Sequence, residues 1–98
     1  MYDLTKEEVE KIKEILKNNF PNSRALVFGS RQKGNNKKHS DIDIAIDTNE
    51  TIDWEKIESI KEEFMNSSLR IRVEIIDFNS VSGEFRKIIL SDYSVLKL

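Results

Sequence analysis

The run Asp41-Ile42-Asp43-Ile44-Ala45-Ile46-Asp47 constrains this chain more than any other segment. Its strict alternation is the two-residue period of a strand with one buried face. Successive side chains leave opposite sides of a strand. Ile42, Ile44 and Ile46 therefore share one face, and Asp41, Asp43 and Asp47 share the other. A lone strand of this kind is unstable in water and needs strand neighbours and a cover over its isoleucines. The rest of the chain offers both.

Arg24-Ala25-Leu26-Val27-Phe28 is a short apolar run bounded by turn residues, which predicts a strand ended by Gly29-Ser30. Ile71 to Phe78 predicts a third strand, with Ile71, Val73 and Ile75 on one face and Arg72 and Glu74 on the other. A helix over about 6–19 is announced by Thr5 as N-cap, Glu8 as its capping-box partner and a Leu4/Val9 staple. Trp54, Ile57, Ile60 and Phe64 recur at helical spacing and read as the core stripe of a second helix, capped by Thr51 or Asp53. Ser80 or Ser82 caps a last helix carrying Phe85, Ile88 and Ile89, and Tyr93 to Leu98 reads as a short extended piece. Asp47 and Asp77 end strands, where turns and caps use such residues.

The short connection between the first two strands predicts an antiparallel pair, and the helix before the third permits a parallel crossover. The expected fold class is α/β (α+β): a small mixed β-sheet with helices on one face, in a single domain spanning 1–98.

Composition narrows the function. Cysteine is absent and His39 is the lone histidine, which excludes thiolate and histidine-rich zinc sites. No apolar run reaches membrane-spanning length, and the polar N-terminus lacks a signal-peptide core, so a cytoplasmic protein without a membrane partner is expected. The net charge of −2 argues against a broad nucleic-acid footprint. Yet Arg31 to His39 holds Arg31, Lys33, Lys37 and Lys38 and no acid. That stretch suits a small anionic ligand, or serves simply as a solvated loop.

With the isoleucines turned to the helices, Asp41, Asp43 and Glu74 gather on the open face. Three neighbouring carboxylates repel one another unless something positive sits between them, and Mg²⁺ is the expected hard cation. An Asp-x-Asp strand alone more often simply keeps an exposed face wet. Gly29-Ser30 changes the balance. A glycine after a strand lets backbone approach a ligand closely, and the following N–H groups and hydroxyl can hold phosphate oxygens. Gly29-Ser30, ten residues, then Asp41-x-Asp43 is a pattern that arises by chance about once in 10⁵ starting positions.

Gly29-Ser30-Arg31-x-x-Gly34 followed by Ser40-Asp41-Ile42-Asp43-Ile44-Ala45-Ile46 resembles the signature of the DNA polymerase β-type nucleotidyltransferases, and more closely that of the minimal members of bacteria and archaea. The resemblance runs over nearly the whole chain. It implies that Gly29, Ser30, Arg31, Gly34, Lys38 and Ser40 bind the nucleotide. It also implies that Asp41, Asp43 and Glu74 are the catalytic and metal-holding acids, with ATP as substrate and two Mg²⁺ ions as cofactors. Lys37 is a further candidate for the departing pyrophosphate. Glu74 stands where close relatives usually have Asp, and it suits a general base or a ligand to the second ion. A salt bridge to Arg70 or Arg72 is its plainer role.

Minimal members of the family are often paired with a small helical protein of the HEPN type, and in several pairs they adenylylate a tyrosine of that toxin. The resemblance thus implies AMP transfer to a HEPN-type partner, without a nucleic-acid template. Transfer to a small molecule held by a helical partner, and a non-catalytic module that neutralises its partner by contact, are the alternatives. Assembly as a homodimer or hetero-oligomer stays open.

Overall fold

The structure, a computed structural model, describes residues 4–29, 41–96 and 98. Helix α1 (Lys6–Asn19) begins as its capping residues dictate. The Glu8 amide donates to Thr5 Oγ1 at 3.1 Å and the Thr5 amide donates to Glu8 Oε1 at 2.8 Å, an arrangement that stabilises a helix start by about 1 kcal/mol. Leu4 and Val9 pack at the margin of the core, as the staple requires.

Strands β1 (Arg24–Phe28) and β2 (Ile42–Asp47) pair antiparallel, with Phe28 opposite Asp43 and Arg24 opposite Asp47. Helix α2 (Trp54–Met65) carries the crossover to β3 (Val73–Asp77), which lies parallel to β2 with Glu74 beside Asp43. Helix α3 (Gly83–Ser91) follows, started by Ser82 Oγ accepting from the Phe85 amide at 3.1 Å. The final extended piece is β4 (Ser94–Leu96), antiparallel to β1. The sheet order is β3-β2-β1-β4, a mixed sheet of the expected kind.

The isoleucine face forms the main core. Ile42, Ile44, Ile46, Ile75, Ala25 and Val27 meet Ile12, Ile15 and Leu16 of α1 and Ile57, Ile60 and Phe64 of α2. Each fully buried isoleucine or leucine contributes about 1.5–3 kcal/mol of hydrophobic stabilisation. Trp54 corrects the expected stripe. It is 74% exposed at the first residue of α2, and the buried stripe begins one turn later, at Ile57. Asp53 holds the N-cap position of α2 but makes no side-chain cap hydrogen bond.

The helical cover also differs from expectation. Helices α1 and α2 share one face, whereas α3 lies on the other, where Ile89 packs with Leu26 and Ala45. Phe28, Ile76, Phe78 and Phe85 complete this smaller cluster. The reason is in the strands: β1 is apolar on both sides, and Ala45 and Ile76 interrupt the polar rows of their strands. A strand apolar on both faces needs cover on both. Arg86 ties α3 down by donating to the carbonyls of Phe78 and Asn79 at 3.0 and 2.9 Å. No helix among the described residues is long and apolar enough to cross a membrane.

Candidate active site

Helix α3 covers only part of the second face. The candidate acids lie at the end where β1 finishes and β2 begins, beside the first turn of α3. Asp43 is half-buried and Glu74 stands directly beside it on the next strand. Asp41 precedes β2 by one residue and is exposed. The structure thus brings Asp43 and Glu74 together on one face, while Asp41 lies just ahead of the strand, near enough for its charge to act on Asp43. Behind them Phe28, register-paired with Asp43, meets Phe85 of α3 edge-on at 6.0 Å between ring centroids. This contact walls the apolar side of the site.

Gly29 closes the site from the β1 side. Its φ of +83° is in the left-handed region, which side chains other than glycine's rarely adopt. A Cβ built there would collide with Asp43 Oδ2 and lie 3.3 Å from its Cγ. Glycine is thus required twice, for the backbone turn and for the carboxylate resting against it. The bend and the Asp43 carboxylate adjoin directly.

Among the described residues, the electrostatics at Asp43 are those of a half-buried carboxylate beside other acids. Burial pushes the Asp43 carboxyl above its ordinary value of 3.8, and the charges of Glu74 and then Asp41 push it further. Among the described residues no hydrogen bond or ion pair reaches Asp43 in compensation. Glu74 is partnered: Arg72 Nε donates to its Oε1 at 2.9 Å, which is the plainer role expected of it. Both side chains are well exposed, so the pair itself stabilises the fold little.

Among the described residues no three acidic or histidine side chains converge tightly enough to cage an ion by themselves. That fits the donor set. Mg²⁺ takes one or two carboxylates and fills its remaining positions with water and substrate phosphates, whereas zinc would demand ligands this face lacks. Asp41 and Asp43 could hold such an ion together with a triphosphate, and Glu74 could join them on release from Arg72.

The remaining candidates, Ser30, Arg31, Gly34, Lys37, Lys38 and Ser40, lie outside the described residues, as does His39. Asp47 and Asp77 are structural, as expected of strand-ending acids. Asp47 accepts from Arg24 at 2.8 Å, from Asn79 Nδ2 at 3.0 Å and from the Asn49 amide at 2.9 Å. Asp77 accepts from the amides of Ile52 at 2.8 Å and Asn79 at 3.0 Å. Sequence reasoning missed the Phe28–Phe85 wall. The apolar outer face of β1 was the signal that could have revealed it.

The family described as Polymerase beta, Nucleotidyltransferase matches residues 10–97. A relative from Haemophilus influenzae, named "Probable protein adenylyltransferase MntA", is 39% identical over 95 residues, covering 97% of this chain and 83% of its own. "Protein adenylyltransferase MntA" from Thermococcus cleftensis is 32% identical over 93 residues, covering 91% of this chain and 93% of its own. A crystal structure described as a toxin–antitoxin with AMP-PNP superposes with a TM-score of 0.77 at 27% identity, over 90% of this chain and 71% of that one. With a family match over residues 10–97 and a relative 39% identical across nearly all of its length, this chain belongs to the polymerase beta nucleotidyltransferases.

Proposed function

We propose that this chain transfers AMP from ATP to a hydroxyl of a protein partner, a tyrosine of a small HEPN-type toxin that it thereby silences. One observation carries the reading: the Asp43 carboxylate rests against the Gly29 bend with Glu74 beside it on the next strand. The names of the two relatives, both protein adenylyltransferases, and the nucleotide analogue in the toxin–antitoxin structure support it.

The acceptor oxygen attacks the α-phosphorus of ATP, a new P–O bond forms, and the bond from that phosphorus to the β-phosphate oxygen breaks. Pyrophosphate leaves in line. Glu74 takes the hydroxyl proton as general base. Gly29, with Ser30 after it, cradles the triphosphate, because a bare Cα admits phosphate oxygens to the backbone N–H groups. Arg31 and Lys38, from the basic stretch, balance charge on the pyrophosphate, and Gly34 and Ser40 complete the nucleotide side. Asp41 and Asp43 would hold Mg²⁺, which would supply Lewis-acid stabilisation of the attacking and leaving oxygens. The chain works in the cytoplasm, where ATP is available.

The Arg72–Glu74 ion pair favours a second reading, a module that neutralises its partner by contact alone, since the proposed base is already engaged. Labelled ATP, Mg²⁺ and the product of the neighbouring gene separate the two. The wild type should label the partner on tyrosine, and Asp41→Asn/Asp43→Asn should not. An unlabelled partner, or neutralisation retained by that double variant, would sink the transferase reading.

A further inference from the structure

A cavity opens beside Glu74, on the side away from Gly29. Its volume is about 320 Å³, and it lies between the last turn of α2 and the entry to β3. Lys61, Met65, Leu69, Arg70, Arg72 and Glu74 are among its lining residues. Glu74 therefore belongs both to the carboxylate cluster and to this cavity's wall, and the Arg72 guanidinium joins the two through its 2.9 Å contact.

Charge, polarity and position each limit what the cavity accepts. Three cations, Lys61, Arg70 and Arg72, line it with one carboxylate; Glu74 pairs with Arg72 and Glu58 with Lys61, so Arg70 is the excess positive charge among the described residues. Lys61 also meets Glu58 at 3.3 Å, while Arg70 is exposed and has no ion-pair partner among the described residues. Met65 stands at the cavity 84% exposed. An unbranched, polarisable side chain left in water suits an adaptable apolar contact. Finally, β3 is the edge strand and β2 separates it from β1. The Gly29 bend lies on the β1 side of Asp43, and the cavity lies beyond Glu74 on the other. A donor arriving along β1 and an acceptor arriving along β3 meet at the acids.

We infer that this cavity docks the stretch of the acceptor protein that flanks its target hydroxyl, and that this stretch is acidic and apolar. Its carboxylates lie against Arg70 and Lys61, and an apolar side chain lies against Met65 and Leu69. The inference rests on the transferase reading and deepens it by naming the acceptor's chemistry. Docking makes and breaks no covalent bond. It presents the hydroxyl on the Glu74 side of the nucleotide.

The test uses two fluorescein-tagged peptides of equal length, each with a central tyrosine, one flanked by Asp and Leu, the other by Lys and Ser. Anisotropy titration against the full chain reads binding without requiring transfer. The acidic, apolar peptide should bind at least about tenfold tighter, the scale set by a few charge contacts. Arg70→Glu should erase that preference and Arg70→Lys should keep it, while Mg·ATP affinity stays unchanged in both. Equal binding of the two peptides, or an unaltered Arg70→Glu, overturns the inference. A matching fall in ATP affinity also overturns it, because the cavity would then hold nucleotide. The selective peptide binding expected here, without labelling of any partner, would defeat the transferase reading alone. Labelling of the partner with an unchanged KM in Arg70→Glu would defeat the docking site alone.

Discussion

Asp43 and Asp47 sit four residues apart on the same face of the same strand, and the structure treats them in opposite ways. Asp47 is buried at the closed end of β2. Burial alone would raise its pKa, but hydrogen bonds from Arg24, Asn79 and the Asn49 amide, with the charge of Arg24, hold it below 3.8. Asp43, at the other end, receives no such support from the described residues, and burial together with Glu74 and Asp41 raises it. One carboxylate is spent on stability. The other is raised by burial and by its acidic neighbours, as carboxylates at functional sites often are. The same residue type in the same strand is thus sorted by its neighbours alone.

Substitution of each aspartate is the sharpest way to break this contrast. Asp43→Asn should cut AMP transfer roughly 10³-fold, the scale of losing one charge-stabilising group at a reacting centre. In the metal-free chain it should leave Tm unchanged or raise it, since it removes a mutual repulsion. A clear fall in Tm would show that Asp43 is structural too. Gly29→Ala comes next. The added methyl meets the Asp43 carboxylate and the left-handed backbone resists it, so transfer should fall roughly 10²-fold and stability by about 1–2 kcal/mol. Kinetics and urea unfolding on the same preparation read both effects.

Asp47→Ala reverses the pattern. It strands the Asn79 side chain and the Asn49 amide and should cost about 2 kcal/mol in urea unfolding. Arg24 is half-exposed and contributes less than a buried partner would. Transfer per folded molecule should stay near wild type. A loss of activity without a loss of stability would contradict the division of labour.

The smallest effect is the pH dependence, where the two acids have opposite signs. The lowered pKa of Asp47 gives stability that is present above about 3.8 and is lost as pH falls through its depressed value. The raised pKa of Asp43 favours the folded state when the group is protonated. That stability is full below 3.8 and is lost as pH rises through the raised value. Unfolding of the metal-free Asp47→Asn variant should therefore show its deficit at neutral pH and lose it in acid. Asp43→Asn should show its gain at neutral pH and lose it in acid. Deficits or gains that do not change with pH would break the assignment.

Why the sequence disclosed some of this and not the rest follows from which forces are local. The start of α1 was legible because Thr5 and Glu8 satisfy each other within one turn. The convergence of Asp43 with Glu74 was legible because a period of two, once the isoleucines choose their side, settles every other side chain in the strand. Trp54 shows the limit: helical spacing says which face a residue shares, and only the packed partners decide how far along the helix that face is covered. The placement of α3 across the second face was likewise hidden. It depends on the two-sided apolar character of β1 and on single residues, Ala45 and Ile76, whose meaning appears only when strands are paired. The cavity between α2 and β3 is tertiary altogether, since no local pattern brings Met65 near Glu74.

Paramagnetic NMR with Mn²⁺ and ATP tests the central claim most directly. The claim is that Asp41, Asp43 and Glu74 beside Gly29 form the cation–triphosphate site of this transferase. Amide signals of Gly29, Asp43 and Glu74 should broaden first and most, and Asp47, about 13 Å along the strand, should broaden far less. Asp43→Asn should abolish the effect. Broadening centred at the Asp47 end, or unchanged in Asp43→Asn, would contradict the account.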